Sequence, residues 1–229
     1  MAWRAIFAFV LTLMIAASIG MAIAAVERSP VYLHEPASRT IVLEPVLTLI
    51  VYAGVITIVV ANRGVEWDVE LRNAALFGSV AGLCEVLNLL IENGLLFPVR
   101  GPALQIAGML LIFALWAAAG ARAARVLGRF RPGVVAAVMS AGVCMVITVT
   151  VGFATELFIA PPHPDYVATW AEFKRSGWTD PNAFGIANTL ASGFTHLIMG
   201  PVIAFLVGSF GSWLGLRAAK AGEKMQPEG

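Results

Sequence analysis

Long apolar runs separated by short polar segments follow one another along the whole chain. Six of these runs cover residues 3–26, 44–61, 71–97, 102–121, 132–160 and 184–216. Each can cross a bilayer core of about 30 Å as a helix that rises about 1.5 Å per residue. Inside lipid, a helix is the only open-chain structure that satisfies its own backbone hydrogen bonds. The pattern predicts an all-α polytopic membrane protein, with residues 1–229 forming one domain of six transmembrane helices.

Basic residues are unevenly distributed between the loops on the two sides of this predicted bundle. With the N-terminus inside, ten of the 15 Lys and Arg residues lie on the inner side, as the positive-inside rule requires. Both termini are therefore predicted to be cytoplasmic, with the protein in the cell (inner or plasma) membrane and residues 217–229 as a short polar tail. The first run resembles a signal peptide but is long enough to span, so we expect it to be retained.

The segment between the fifth and sixth runs has a helical pattern of its own. In "DYVATWAEFKRSG" (165–177), an apolar stripe predicts a short amphipathic helix at the outer interface. Asp180 followed by Pro181 is typical of an N-cap and first helical residue, so the sixth helix should begin before the membrane. Gly200 and Pro201 should kink that helix and could let it act as a gate.

Composition supports the membrane assignment and excludes other classes. Hydrophobic residues make up 59% of the chain and charged residues only 13%, whereas soluble domains carry about 25% charged residues. The composition thus predicts that the protein is surrounded by the lipid bilayer. A net charge of +1 without a basic block argues against nucleic acid as a partner. Cys84 and Cys144 lie in apolar runs without metal-site spacing, which predicts two free cysteines.

The third run contains polar residues that an apolar helix does not need. Glu85, Asn88 and Glu92 are spaced i, i+3 and i+7, so they share one face of the helix. An ionisable group at membrane depth costs about 2.5–3.5 kcal/mol, and such groups normally face a bundle interior or a water-filled cavity. This spacing therefore predicts a functional stripe.

Two other runs offer polar residues that could face this stripe. Glu156 lies near the outer end of the fifth run, and Asn188, Ser192 and His196 are spaced i, i+4 and i+8 in the sixth. We expect the seven residues to line a polar pocket open to the outer side. Glutamates would recognise charge or couple to protons, Asn88, Asn188 and Ser192 would hydrogen-bond, and His196 would exchange protons.

The charge balance indicates what such a pocket would hold. The apolar interiors of the predicted spans contain carboxylates but no Lys or Arg. Buried carboxylates without a basic partner must take up protons or bind a cation from outside. The sequence therefore predicts a protein that binds or transports a proton, a metal or alkali cation, or a small cationic or polar molecule.

Two other classes of function stay open at this stage. Glu85, Glu92, Glu156 and His196 are residue types that ligate metals or transfer protons, which would suit a membrane-embedded enzyme. However, the sequence contains no HExxH, GxSxG or Walker A motif, so neither a cofactor nor a catalytic residue is assigned. The third possibility is a non-catalytic accessory subunit whose polar stripes contact partner subunits.

Overall fold

The structure is a computed structural model that describes residues 2–61, 65–96 and 101–223. Its helices are α1 (Ala2–Glu27), α2 (Ser38–Ala61), α3 (Val65–Glu92), α4 (Pro102–Leu127), α5 (Phe130–Ala154), α6 (Pro164–Val167), α7 (Ala171–Ser176) and α8 (Pro181–Glu223). A 3-10 turn, Tyr32–His34, precedes α2, and a π-helical segment, Thr155–Ile159, continues α5. Across the described residues there are six helices long and apolar enough to span a membrane, and no strand. The predicted all-α, multi-pass fold is confirmed.

Several helices extend further than the hydrophobic pattern predicted. α2 begins at Ser38 rather than 44, α3 begins at Val65 rather than 71, and α4 continues to Leu127. Helices α1, α3, α4 and α8 therefore include basic residues near one end, such as Arg72 and Arg125. The predicted tail from residue 217 is helical as far as Glu223. Phe97, Arg63, Arg100 and Lys224 lie outside the described residues.

The segment between α5 and α8 differs from the prediction of one short helix. It forms two helices, α6 and α7, because Trp170 takes an extended backbone conformation between them. The rings of Trp170 and Phe173 pack on Phe184 with centroid distances of 6.4 and 5.5 Å. These contacts attach the segment to the start of α8. The predicted N-cap is confirmed, since Asp180 Oδ1 accepts from the backbone N–H of Asn182 at 2.7 Å and of Ala183 at 3.3 Å.

Helix α5 lies at the centre of the bundle. In the most apolar stretch of this span, 61% of the residues are buried inside the protein, whereas the buried share is 11–28% for the other five spans. It packs against α1, α3, α4 and α8, while α2 packs against α1 and α8. The hydroxyls of Ser18 in α1 and Thr150 in α5 share a hydrogen bond of 2.9 Å. Cys84 and Cys144 are both free, as predicted.

Small residues bring α4, α5 and α8 into close contact at one end of the bundle. A Cβ added at Gly120 would lie 2.8 Å from the Gly208 carbonyl oxygen, and one at Gly211 would collide with the Ala117 carbonyl oxygen. Membrane helices associate through such small-residue contacts, because lipid supplies no hydrophobic driving force between helices. We call this the predicted inner end, and the opposite end, which carries residues 28–37 and 160–180, the predicted outer end.

A buried carboxylate joins two loops at the predicted outer end. Glu35 is only 7% exposed, and its oxygens accept from the Thr179 hydroxyl and from the backbone N–H groups of Thr179 and Asp180, both at 3.0 Å. Burial alone raises the pKa of the Glu35 carboxyl, but these hydrogen bonds outweigh burial and lower it overall. Tyr32 packs edge-on against Trp178 beside this clamp, at 5.6 Å between centroids.

The contact at Gly211 predicts a large effect of one methyl group. We expect Gly211→Ala to destabilise the protein by about 1–3 kcal/mol, because the added carbon must push α8 away from α4. Thermal unfolding of purified protein in detergent measures this. The matched control is Gly54→Ala in α2, where an added Cβ meets nothing within 4 Å and stability should be unchanged or raised by up to about 1 kcal/mol through helix propensity. Equal melting temperatures for Gly211→Ala and wild type would contradict the close packing of α4 and α8.

The Glu35 clamp predicts a pH-dependent contribution to stability. Since the folded-state pKa lies below its ordinary value of 4.5, the carboxylate stabilises the fold above that pH and loses this effect as pH falls through the folded-state pKa. Glu35→Gln should therefore lower stability at pH 7 by roughly 1–3 kcal/mol. The difference in stability between Glu35→Gln and wild type should shrink at acidic pH. Melting temperatures at neutral and acidic pH test this, and the exposed Glu172→Gln serves as control. A stability difference that does not depend on pH would contradict the account.

Candidate functional site

A cavity of about 290 Å³ lies between α3, α5 and α8 near the predicted outer end. Its floor is α5 with the start of the π-helical segment, and its walls are α3 and α8, whose described residues make no extensive contact with each other. All seven residues of the predicted pocket line it, namely Glu85, Asn88 and Glu92 from α3, Glu156 from the π-helical segment, and Asn188, Ser192 and His196 from α8. The structure thus brings together polar stripes that are up to 111 positions apart in sequence.

Helical periodicity and small residues together create this space. The stripes of α3 and α8 each present one polar face along about two turns, as their spacing requires. Between these stripes, Gly152 of α5 and Gly193 of α8 line the cavity without side chains that would fill it. A Cβ at Gly193 would lie 2.6 Å from the Phe153 ring, so glycine is needed at this contact between α8 and α5.

The three cavity carboxylates have few hydrogen-bond partners. Glu85 accepts from Asn88 Nδ2 at a long 3.5 Å, and Glu156 accepts from Thr189 Oγ1 at 3.0 Å. Glu92 and Asn188 make no side-chain hydrogen bond within the described residues. Each ionised carboxylate has about four acceptor positions. Most of the hydrogen-bonding capacity of the cavity is therefore unused.

Among the described residues that line the cavity, His196 is the only basic side chain, and Lys and Arg are absent. Arg28 instead lines a smaller cavity of about 120 Å³ at the predicted outer end, which shares only Glu156 with the larger one. The Arg28 guanidinium lies 4.5 Å from the centroid of the Phe158 ring. Glu85 and Glu92 thus have no Lys or Arg partner among these described lining residues.

The position of Glu156 depends on an irregularity in the backbone. Thr155–Ile159 forms a π-helical turn directly after α5. Such turns rotate the following side chains relative to a regular helix and occur often at functional sites. Here the turn carries Glu156, which borders both the large cavity and the smaller outer one. Glu156 therefore lies where the two spaces adjoin.

The His196 ring is oriented by its own helix. Its Nδ1 lies 2.8 Å from the Ser192 carbonyl oxygen. Because a carbonyl only accepts, Nδ1 donates this hydrogen bond. The Ser192 hydroxyl is 3.5 Å from the same Nδ1, which cannot then act as its base. In this geometry Ser192 and His196 do not form a nucleophile–base pair.

The predicted metal ligands line one cavity without forming a metal cluster. In the part of the chain that the structure describes, no group of three or more His, Cys, Asp or Glu side chains is arranged to hold a metal ion. Direct ligation needs donor atoms about 2.0–2.6 Å from the ion.

Gly200 and Pro201, the predicted gate, lie inside a continuous α8 of 43 residues. Pro201 lacks the N–H that would bond the Leu197 carbonyl, and the Tyr52 hydroxyl of α2 donates to this oxygen at 2.6 Å. A Cβ at Gly200 would lie 2.5 Å from Met145 Cγ, so this glycine packs tightly on α5. Kinking and gating at these residues stay predictions.

Sequence reasoning missed some polar and small residues. Glu70 and Asn73 are buried in α3 near the predicted inner end, each 5% exposed. The hydrophobic pattern starts the third span at residue 71, which leaves Glu70 in the preceding loop. The roles of Gly152 and Gly193 had no local signal, because glycine is common in membrane helices and only the packing shows what a side chain would block.

Comparison with known proteins does not assign this chain to a group. No protein-family model, no curated protein and no solved structure matches it. The fold defines a multi-pass helical membrane protein, and the cavity alone carries the functional conclusion.

The hydrogen bond at Pro201 predicts a measurable coupling between α2 and α8. Tyr52→Phe should lower stability by about 0.5–1.5 kcal/mol, because the Leu197 carbonyl loses its donor. Pro201→Ala restores the helical N–H, so Tyr52→Phe should cost less in that background, and thermal unfolding of the four proteins forms a double-mutant cycle. The exposed Tyr166→Phe serves as control. Additive effects of the two substitutions would contradict the coupling.

Proposed function

We propose that the cavity between α3, α5 and α8 binds a cation, most favourably a small organic cation, and that the protein binds or transports it in exchange with protons. The observation that carries this proposal is the set of carboxylates on one cavity wall, Glu85 and Glu92, with no Lys or Arg among the described lining residues. An ionised carboxylate in a low-dielectric region is strongly unfavourable unless a positive charge accompanies it.

The size of the cavity supports an organic cation over a bare ion. At about 290 Å³ it is near the lower limit of small-molecule pockets, which enclose roughly 300–1,000 Å³. A single dehydrated ion would leave most of this space unfilled, and the described side chains do not converge on one point. A molecule of several heavy atoms bearing an ammonium group fits both the volume and the charge.

The uncharged polar residues support recognition of a molecule with further polar groups. Asn88 and Asn188 border the carboxylates and can both donate and accept hydrogen bonds. His196 presents an Nε2 lone pair when neutral and a positive charge when protonated. These groups could bind the polar part of a molecule whose positive charge lies beside Glu85 and Glu92.

A role as accessory subunit is the second candidate, and one observation favours it. Asn188, Ser192, Thr195 and His196 are exposed on a membrane-spanning helix. Polar groups exposed at membrane depth are costly, and a helix of a partner subunit could cover them. This function predicts co-purification with that subunit rather than a response to small cations.

The proposed function predicts a cation-dependent stabilisation that requires Glu85 and Glu92. Thermal unfolding is measured at constant ionic strength with the chloride salts of sodium, ammonium, methylammonium, tetramethylammonium and guanidinium. At a concentration 100 times its Kd, a bound cation stabilises by about 2.7 kcal/mol. Glu85→Gln and Glu92→Gln should lose most of this stabilisation, because each removes one negative charge from the cavity.

The control variant is Glu172→Gln, which removes a carboxylate that is exposed on α7 and does not line the cavity. Its response to each cation should equal that of wild type. The proposal fails if no cation stabilises the wild type, or if Glu85→Gln and Glu92→Gln respond as strongly as wild type does.

A further inference from the structure

A second cavity adjoins the acidic one and differs from it in chemistry. It measures about 200 Å³, and Glu85 and His196 border both spaces. The rest of its lining is mainly apolar and includes Met109, Phe113, Trp116, Met145 and Met199. We call it the apolar chamber. A molecule with its head beside Glu85 can therefore extend into apolar surroundings without leaving the protein.

The divergence of α4 from α8 creates this chamber. At the predicted inner end the two helices pack closely, with Gly211 against Ala117 and Gly215 against Ala121. Toward the predicted outer end, α4 keeps its contact with α3, where Gly108 meets Asn88, but most of residues 102–111 are exposed. The space between α4 and α8 consequently opens sideways, toward the lipid that surrounds the bundle.

The lining of the chamber suits an adaptable apolar group. Methionine side chains are flexible and polarizable and accommodate irregular shapes. Met109 and Met199 are about half exposed, at 50% and 46%, so they border the lateral opening. Trp116 is only 2% exposed, and its indole Nε1 has no hydrogen-bond partner within the described residues. One unpartnered donor thus lies in a mainly apolar lining.

We propose that the ligand is a cationic amphiphile, with its ammonium group between Glu85 and the other cavity carboxylates and its alkyl or aryl tail in the apolar chamber. It enters sideways from the membrane between α4 and α8. An anionic or phosphate-bearing lipid is disfavoured, because its head would meet Glu85 and Glu92 with no Lys or Arg among the described lining residues. This inference rests on the proposed cation binding and adds the chemical class of the ligand.

The test compares n-alkylammonium ions of increasing chain length, from methyl to decyl, binding to the full-length protein in nanodiscs of zwitterionic lipid. Longer chains also partition into lipid, so the measured quantity is the ratio of Kd between variant and wild type at each length. Met199→Trp and Met109→Trp fill the chamber from two different helices. Leu206→Trp is the matched control, because Leu206 is 64% exposed on α8 and does not line the chamber.

We expect both chamber variants to bind methylammonium as wild type does and to bind decylammonium about tenfold more weakly, since filling the chamber displaces the tail. Leu206→Trp should give a ratio near one at every length. Decanol and decanoate should bind wild type far more weakly than decylammonium does.

Three results overturn the proposal in distinguishable ways. Ratios near one at all lengths in both chamber variants would remove the tail site while leaving the proposed cation binding intact. Equal binding of decanol, decanoate and decylammonium would show that the charge of the head is irrelevant. Failure of every ammonium ion, short or long, to bind wild type would overturn the proposed function itself.

Discussion

Carboxylates that line a cavity in an apolar bundle, with no Lys or Arg partner among the described lining residues, are the constraint on which this structure depends. Two other acids are held from within the chain: Asp68 receives Arg4 and Arg72, each at 3.0 Å, and Glu35 receives three N–H and O–H donors. Among the described residues, Glu85 receives only a long 3.5 Å hydrogen bond from Asn88, and Glu92 receives no side-chain hydrogen bond. A positive charge from outside the chain would complete them as the Arg residues complete Asp68.

The packing of the helices explains how such a costly cavity persists. Helix α5 supplies a central floor, and close glycine contacts fix α4 against α8 at the predicted inner end. The Glu35 clamp connects the two long loops at the predicted outer end. Between these fixed ends, α3 and α8 stay apart and α4 diverges. Stability is thus concentrated away from the cavity, which leaves the cavity walls free of contacts that would close it.

Much of this could be predicted from local pattern, and the rest required tertiary packing. The spacing of Glu85, Asn88 and Glu92 identifies a polar face because helical periodicity is local, and Asp180 with Pro181 marks a helix start for the same reason. Periodicity does not say which helices are neighbours, so the meeting of α3, α5 and α8 was a hypothesis. Trp170 separates α6 from α7 and packs on Phe184, and the sequence carries no signal for this contact. The position of Trp116 in the apolar chamber depends on the divergence of α4 from α8, which the sequence does not indicate either.

The most direct test of the central claim is whether cation binding requires the two carboxylates Glu85 and Glu92. Methylammonium is titrated into wild-type protein and into the Glu85→Gln, Glu92→Gln double variant, and calorimetry measures the stoichiometry and the Kd. The account predicts one cation bound per wild-type chain and binding at least about tenfold weaker in the double variant. Absence of binding to wild type would contradict the account, as would equal Kd values for wild type and the double variant.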